Sequence, residues 1–196
     1  MRKSKKNRPA NSRWIICALL ALFPSFATAL RPWVCGGDAR LAAQRVFATA
    51  RDSDAWREYR NIAEATSSET ESGASAELWR GTKGTLMART VEPGEDFWTY
   101  TSYCFGGNGQ LRSVAFEVRT AWGWSYRQAG AVRGGLLRAS TSGFFDTRTG
   151  KSISRPAAAD DVPDALKPKL YVWAKQLPFA KLLTAQPGSG STPTTK

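Results

Sequence analysis

Residues 97–122 read FWTYTSYCFGGNGQLRSVAFEVRTAW. Residues 97–105 have the period of two expected of a strand, Gly106, Gly107, Asn108 and Gly109 supply the positive-φ positions of a hairpin turn, and residues 110–122 return as a second strand. On the return strand Val114, Phe116 and Val118 share one face, and Ser113, Glu117 and Arg119 share the other. Side chains alternate across a strand, so this parity predicts one buried and one wet side.

Outward from this hairpin the same rhythm continues, with turn signals every ten to fifteen residues. That spacing fits an antiparallel meander rather than βαβ units. Further strands are expected at residues 77–80, 85–91, 124–128 and 136–145, with a short return near Ser152. Asp146, Thr147, Arg148, Thr149 and Gly150 read as a type I turn closed by a glycine.

Upstream the pattern becomes helical. Asp38 can cap a helix in which Ala39, Ala42, Ala43, Val46, Phe47 and Ala50 form one apolar stripe. A second short helix is expected after Asp54, with Trp56, Tyr59 and Ile62 as its buried residues. Residues 65–76 are rich in Ser, Thr, Glu and Gly and read as a loop. Downstream, residues 163–172 suit a short helix docked through Leu166, Leu170 and Tyr171, and residues 184–196 read as a disordered polar tail. The expected fold is therefore α+β: an N-terminal helix on a meander of about six strands, with a short C-terminal helix.

The chain opens with Arg2, Lys3, Lys5, Lys6, Arg8 and Arg13, then an uncharged stretch that ends in Ala27, Thr28 and Ala29. This is the layout of an export signal cleaved after Ala29. A retained anchor is the competing reading, but the strong apolar run from Trp14 holds ten residues before Pro24, against the roughly 20 needed to span a bilayer. Six of the 28 basic residues and none of the 16 acidic ones lie in this segment, so residues 30–196 carry +6. Such a surplus favours anionic partners in general. No block of five or six consecutive basic residues marks a nucleic-acid site. Residues 30–183 suit one domain. Cys35 and Cys104 remain after processing, and in an oxidising compartment they are expected to pair, closing a loop worth about 4 kcal/mol. Two separate buried thiols are the alternative.

The absence of histidine removes Ser-His-Asp and Cys-His catalysis, an imidazole base and any His-containing zinc site. Two remaining cysteines cannot form a four-thiolate metal cage, so no metal or cofactor is expected. Gly150, Lys151 and Ser152 end like a phosphate loop, but Phe145 stands where that motif requires glycine. Among the carboxylates Glu92, Glu95, Asp96, Glu117, Asp146, Asp160, Asp161 and Asp164, only Glu117 lies within a predicted strand. Arg119 shares its face and can neutralise it. A carboxylate-dependent hydrolase of envelope polysaccharide would need a second carboxylate about 5 to 10 Å away.

Seven tryptophans follow the signal: Trp33, Trp56, Trp79, Trp98, Trp122, Trp124 and Trp173. Trp98, Tyr100, Tyr103, Trp122, Trp124 and Tyr126 fall on neighbouring strands, and Gly123 permits a bend between two of the indoles. If they line the outer face they form a stacking platform; if they point inward they are core. Arg112, Arg119, Arg127, Arg133 and Arg138 lie in the same region. The function expected from these features is an exported, non-enzymatic binding or structural module of the cell envelope. Its candidate ligand-binding residues are Trp98, Tyr100, Arg119, Trp122, Trp124 and Tyr126. A glycan or another exported protein is the expected partner, with no nucleic acid and with membrane contact only through an uncleaved signal.

Overall fold

A computed structural model of the chain describes residues 43–50, 53–67 and 73–184. Among these residues the protein is mostly one antiparallel sheet of nine strands. In chain order they are β1 (Arg45–Thr49), β2 (Trp56–Tyr59), β3 (Ser75–Arg80), β4 (Leu86–Pro93), β5 (Phe97–Phe105), β6 (Leu111–Thr120), β7 (Trp124–Arg133), β8 (Leu136–Asp146) and β9 (Ser152–Ile153). The order across the sheet is β2-β1-β3-β4-β5-β6-β7-β8-β9, so only β2 departs from a simple meander. Two four-residue helices accompany it, α1 (Ile62–Ala65) and α2 (Ala180–Leu183). No described helix is long and apolar enough to cross a membrane.

Register and alternation place the core. Phe47 pairs with Ala76, Ala76 with Thr90, Thr90 with Thr101 and Thr101 with Phe116, so one face carries this row across five strands. Leu78, Ala88, Tyr103 and Val114 form the adjoining row on the same face, and all four are buried. What covers them is a C-terminal strap. Tyr171, Leu177 and Phe179 are buried against the sheet, with Leu166, Leu170, Leu182 and Leu183 packed around them. Phe179 stacks on Phe47 at 4.8 Å and meets Trp56 at 5.3 Å. The Tyr103 hydroxyl donates to the Lys169 carbonyl at 3.0 Å. Burial pushes that hydroxyl's pKa up, so it stays a neutral donor.

The expected turns form, but of Gly106, Gly107, Asn108 and Gly109 only Gly109 takes a positive φ, at +77°. Gly109 N donates to Gly106 O at 2.8 Å in the β5–β6 hairpin. In the β8–β9 turn Gly150 N donates to Asp146 O at 2.8 Å, and Asp146 Oδ1 accepts from the Thr149 hydroxyl and from the amides of Arg148 and Thr149. Gly150, Lys151 and Ser152 are therefore part of a hairpin.

Several expectations need correction. The helical stripe predicted through Val46 and Phe47 is strand β1 over Arg45–Thr49, and Trp56–Tyr59 is strand β2 instead of a helix; residues 38–42 lie outside the described set. The stripe misled because β1 is buried on both faces. Phe47 faces the strap, while Val46 and Ala48 pack under α1 through Ala65, so the strand lacks the alternation that marks a half-buried one. Helix does follow at Ile62–Ala65, where Asn61 Oδ1 accepts from Glu64 N at 2.9 Å. Among the described residues the strands number nine, not about six. Ser75 and Ala76, expected in the loop, open β3 as buried residues. Residues 163–172 make turns and an extended run in place of a helix, although Leu166, Leu170 and Tyr171 do dock as expected. Pro163 and Pro168 bracket too short a run for a stable helix.

At the far margin, β9 pairs with β8 only at Phe144 and Phe145. Most of β8 before this is exposed, from Leu136 to Ser142. The β7–β8 register steps at this level: Ala129 pairs with Thr141 and Gly130 with Ala139, leaving Ser140 as the extra residue. The strands approach so closely there that a Cβ at Gly130 would lie 2.1 Å from Arg138 O, a contact only glycine avoids.

Candidate functional site

The outer face of the sheet, opposite the strap, carries the complementary parity. Val91, Tyr100, Glu117, Arg127 and Gly143 form one row across β4 to β8. Trp98, Arg119, Ser125 and Phe145 form the next row toward the end of the sheet. Directly opposed residues on adjacent strands stand close enough for their side chains to meet.

At the centre is Glu117, 8% exposed. Its Oε2 accepts from Arg119 at 3.0 Å and its Oε1 from Arg127 at 3.1 Å. The side expected to be wet is thus partly closed, because two guanidiniums cover this carboxylate. Each guanidinium also lies over a ring. Arg119 is 4.8 Å from the Tyr100 centroid, and Arg127 is 4.6 Å from that of Phe145. Gly143, the cross-strand partner of Arg127, presents no side chain between them. Arg89, on β4, lies 5.7 Å from the Tyr100 centroid and 3.8 Å from Glu77. The cluster thus holds three guanidiniums and two carboxylates.

The electrostatics follow from these contacts. The hydrogen bond to Glu117 raises the pKa of Arg119 further, fixing its charge. Burial pushes the Glu77 carboxyl up, and nearby Arg89 pulls it back down. Ser125, fully buried and cross-strand from Arg119, has an Oγ with no hydrogen-bond partner among the described residues.

The six expected ligand-binding residues divide between the two faces. Trp98, Tyr100 and Arg119 share the outer face. Trp122 sits in the β6–β7 turn, where Ala121 N donates to Asp96 O at 2.9 Å, which brings the turn against the start of β5. Trp98 and Trp122 are each 45% exposed at that end of the sheet. Trp124 and Tyr126 point to the strap face. Trp124 is 4% exposed and packs on Phe144 at 5.7 Å with Ala159 nearby, and Tyr126 meets Phe144 at 5.0 Å. Gly123, at φ +86°, does turn the chain between the two indoles, which lie 6.1 Å apart, but it leaves one outside and one in the core.

Arg127 belongs to the cluster, whereas Arg112, Arg133 and Arg138 lie near the opposite ends of their strands. Glu77, Arg89 and Phe145 escaped the sequence reading. Their signal was parity carried across strand pairs, which becomes readable only when each register is known. Cys104 is buried on β5 on this same outer face, paired with Met87 and Ser113, and Cys35 lies outside the described residues. Among the described residues no group of His, Cys, Asp and Glu could hold a metal ion. No family model matches the chain, and neither a curated protein nor a solved structure does.

Proposed function

We propose that the chain is an exported, non-enzymatic module of the cell envelope that binds a glycan or an exported protein through the outer face of its sheet. The observation that carries this reading is the Arg119–Glu117–Arg127 cluster, stacked on Tyr100 and Phe145 and flanked by the half-exposed Trp98. An unbound arginine loses considerable rotamer freedom on gripping a ligand. Here ring stacking and a shared carboxylate have already restricted two of them, which lowers the cost of binding. Trp98 adds an apolar plane for a sugar ring or an aliphatic side chain.

Export through residues 1–29, with cleavage after Ala29, is part of the same proposal, as is a Cys35–Cys104 disulfide in the oxidising compartment that export implies. The test is co-sedimentation of the purified protein with isolated envelope polysaccharide. Trp98→Ala and Arg119→Gln should each lose most of the bound fraction while their thermal midpoints stay close to that of the parent. Variants that sediment like the parent would sink the reading.

The hydrolase alternative receives less support. Both oxygens of Glu117 are engaged by arginines. The other carboxylate of this face, Glu77, stands three strands away, roughly 14 Å at ordinary strand spacing. That exceeds the range of about 5 to 10 Å over which paired glycosidase carboxylates act.

A further inference from the structure

Resting on the binding role proposed above, we infer that the ligand is an acidic glycan whose carboxylates engage Arg119 and Arg127 while a sugar ring lies on Trp98. Three observations converge on this class. First, the three guanidiniums of the outer face sit on β4, β6 and β7 and outnumber its two carboxylates, Glu77 and Glu117, so a net positive charge remains whose donors are spread across the strands instead of gathered at one point. A polymer with an anionic group on successive units matches that spread better than a single small anion. Second, Arg119 uses its Nη2 and Arg127 its Nε toward Glu117, leaving other N–H groups of each planar fork for a further carboxylate. Third, Trp98 is the cross-strand partner of Arg119, so an exposed indole lies beside a charged fork, the juxtaposition needed by a ring that carries its own carboxylate.

Beside the Glu117 row runs another of small side chains, Ser102, Ala115 and Ala129, all partly exposed. It makes a low floor along which a chain crossing the strands can lie. An acidic polypeptide fits this face less well. An extended peptide gains much of its affinity for a sheet by backbone pairing, and this face offers side chains only, because the strands spend their own backbone groups on one another.

The probes are polygalacturonate, its fully methyl-esterified form and poly-glutamate, titrated calorimetrically into the full chain at low salt. Polygalacturonate should bind at least about tenfold more tightly than either of the others. Its affinity should fall as sodium chloride rises, a readout that needs no variant. Arg119→Gln and Arg127→Gln should each weaken it several-fold, with Arg119→Lys intermediate. Equal affinity for the acid and the ester would overturn the acidic assignment and leave the binding role standing. Equal affinity for poly-glutamate would overturn the glycan assignment. Binding of none of the three would overturn this inference, and the binding role would then rest on the envelope sedimentation alone.

Discussion

Trp122 and Trp124 stand two positions apart, and burial gives them opposite roles. Trp124 is 4% exposed with Phe144 and Ala159 against it, so removing its ring leaves a cavity. Trp124→Ala should cost about 3 to 5 kcal/mol, measured by urea unfolding. Its indole N–H has no partner among the described residues, so Trp124→Phe should cost clearly less than the alanine change. Trp122→Ala, at 45% exposure, should shift stability by under about 1 kcal/mol. Equal losses at the two positions would contradict the burial described. Composition placed both residues in an aromatic cluster; it could not say which side of the sheet each would take. Parity on one strand predicts which residues share a face, but the Gly123 turn breaks the count, and only the next strand's register restores it.

At the level of elements, the junction of β1, β2 and α2 is held by a charge pair. Arg45 donates from Nε and Nη2 to the two carboxylate oxygens of Glu58, both at 2.7 Å, and Nη2 also reaches Leu182 O at 2.7 Å. The hydrogen bonds from Arg45 hold the Glu58 carboxyl below its usual range. A depressed folded-state pKa contributes stability that is present above the unfolded value and disappears as pH falls through the folded one. Glu58→Gln should therefore be less stable than the parent near neutral pH, by about 0.2 to 1 kcal/mol because the pair is partly solvated. The difference should begin to shrink as pH drops below about 4.3, the ordinary glutamate value, and be gone only below the depressed folded-state value. Thermal unfolding of both proteins between pH 7 and pH 3 would check the sign. The central strands were legible here because each is half-buried, and the downstream ones because turns that carry glycine bound them. Strand β1 was not, since burial on both faces erases alternation and leaves a pattern that a helix can mimic.

For the whole molecule, the second layer is a largely irregular strap that ends in the single turn of α2, and a few contacts fasten it. Phe179 is 1% exposed between Phe47 and Trp56, and Phe179→Ala should cost about 3 to 5 kcal/mol. Hydrogen exchange should then speed up most at Phe47 and its neighbours on β1 and β3; uniform loosening across β7 and β8 would argue against the strap as their cover. Leu166, Leu170 and Tyr171 were readable as docking residues from their spacing, whereas Leu177 and Phe179 were not, and the lack of helix over residues 163–172 followed from prolines that hydrophobicity alone does not weigh. The outer-face cluster was half legible. Glu117 with Arg119 is a sequence-local pair, but Arg89, Arg127 and Phe145 reach it only through three further strand pairings. One margin of this sheet has a consequence for how the protein behaves in crowded solution. The backbone amides and carbonyls along the outward side of β8, before its short pairing with β9, form a ready template for another extended chain, and unchecked they would let copies stitch together side by side. The kink made by the extra Ser140 and the cation of Arg138 are what spoil that template, so straightening one and neutralising the other should favour edge-to-edge pairing of copies, seen as a concentration-dependent rise in sedimentation rate.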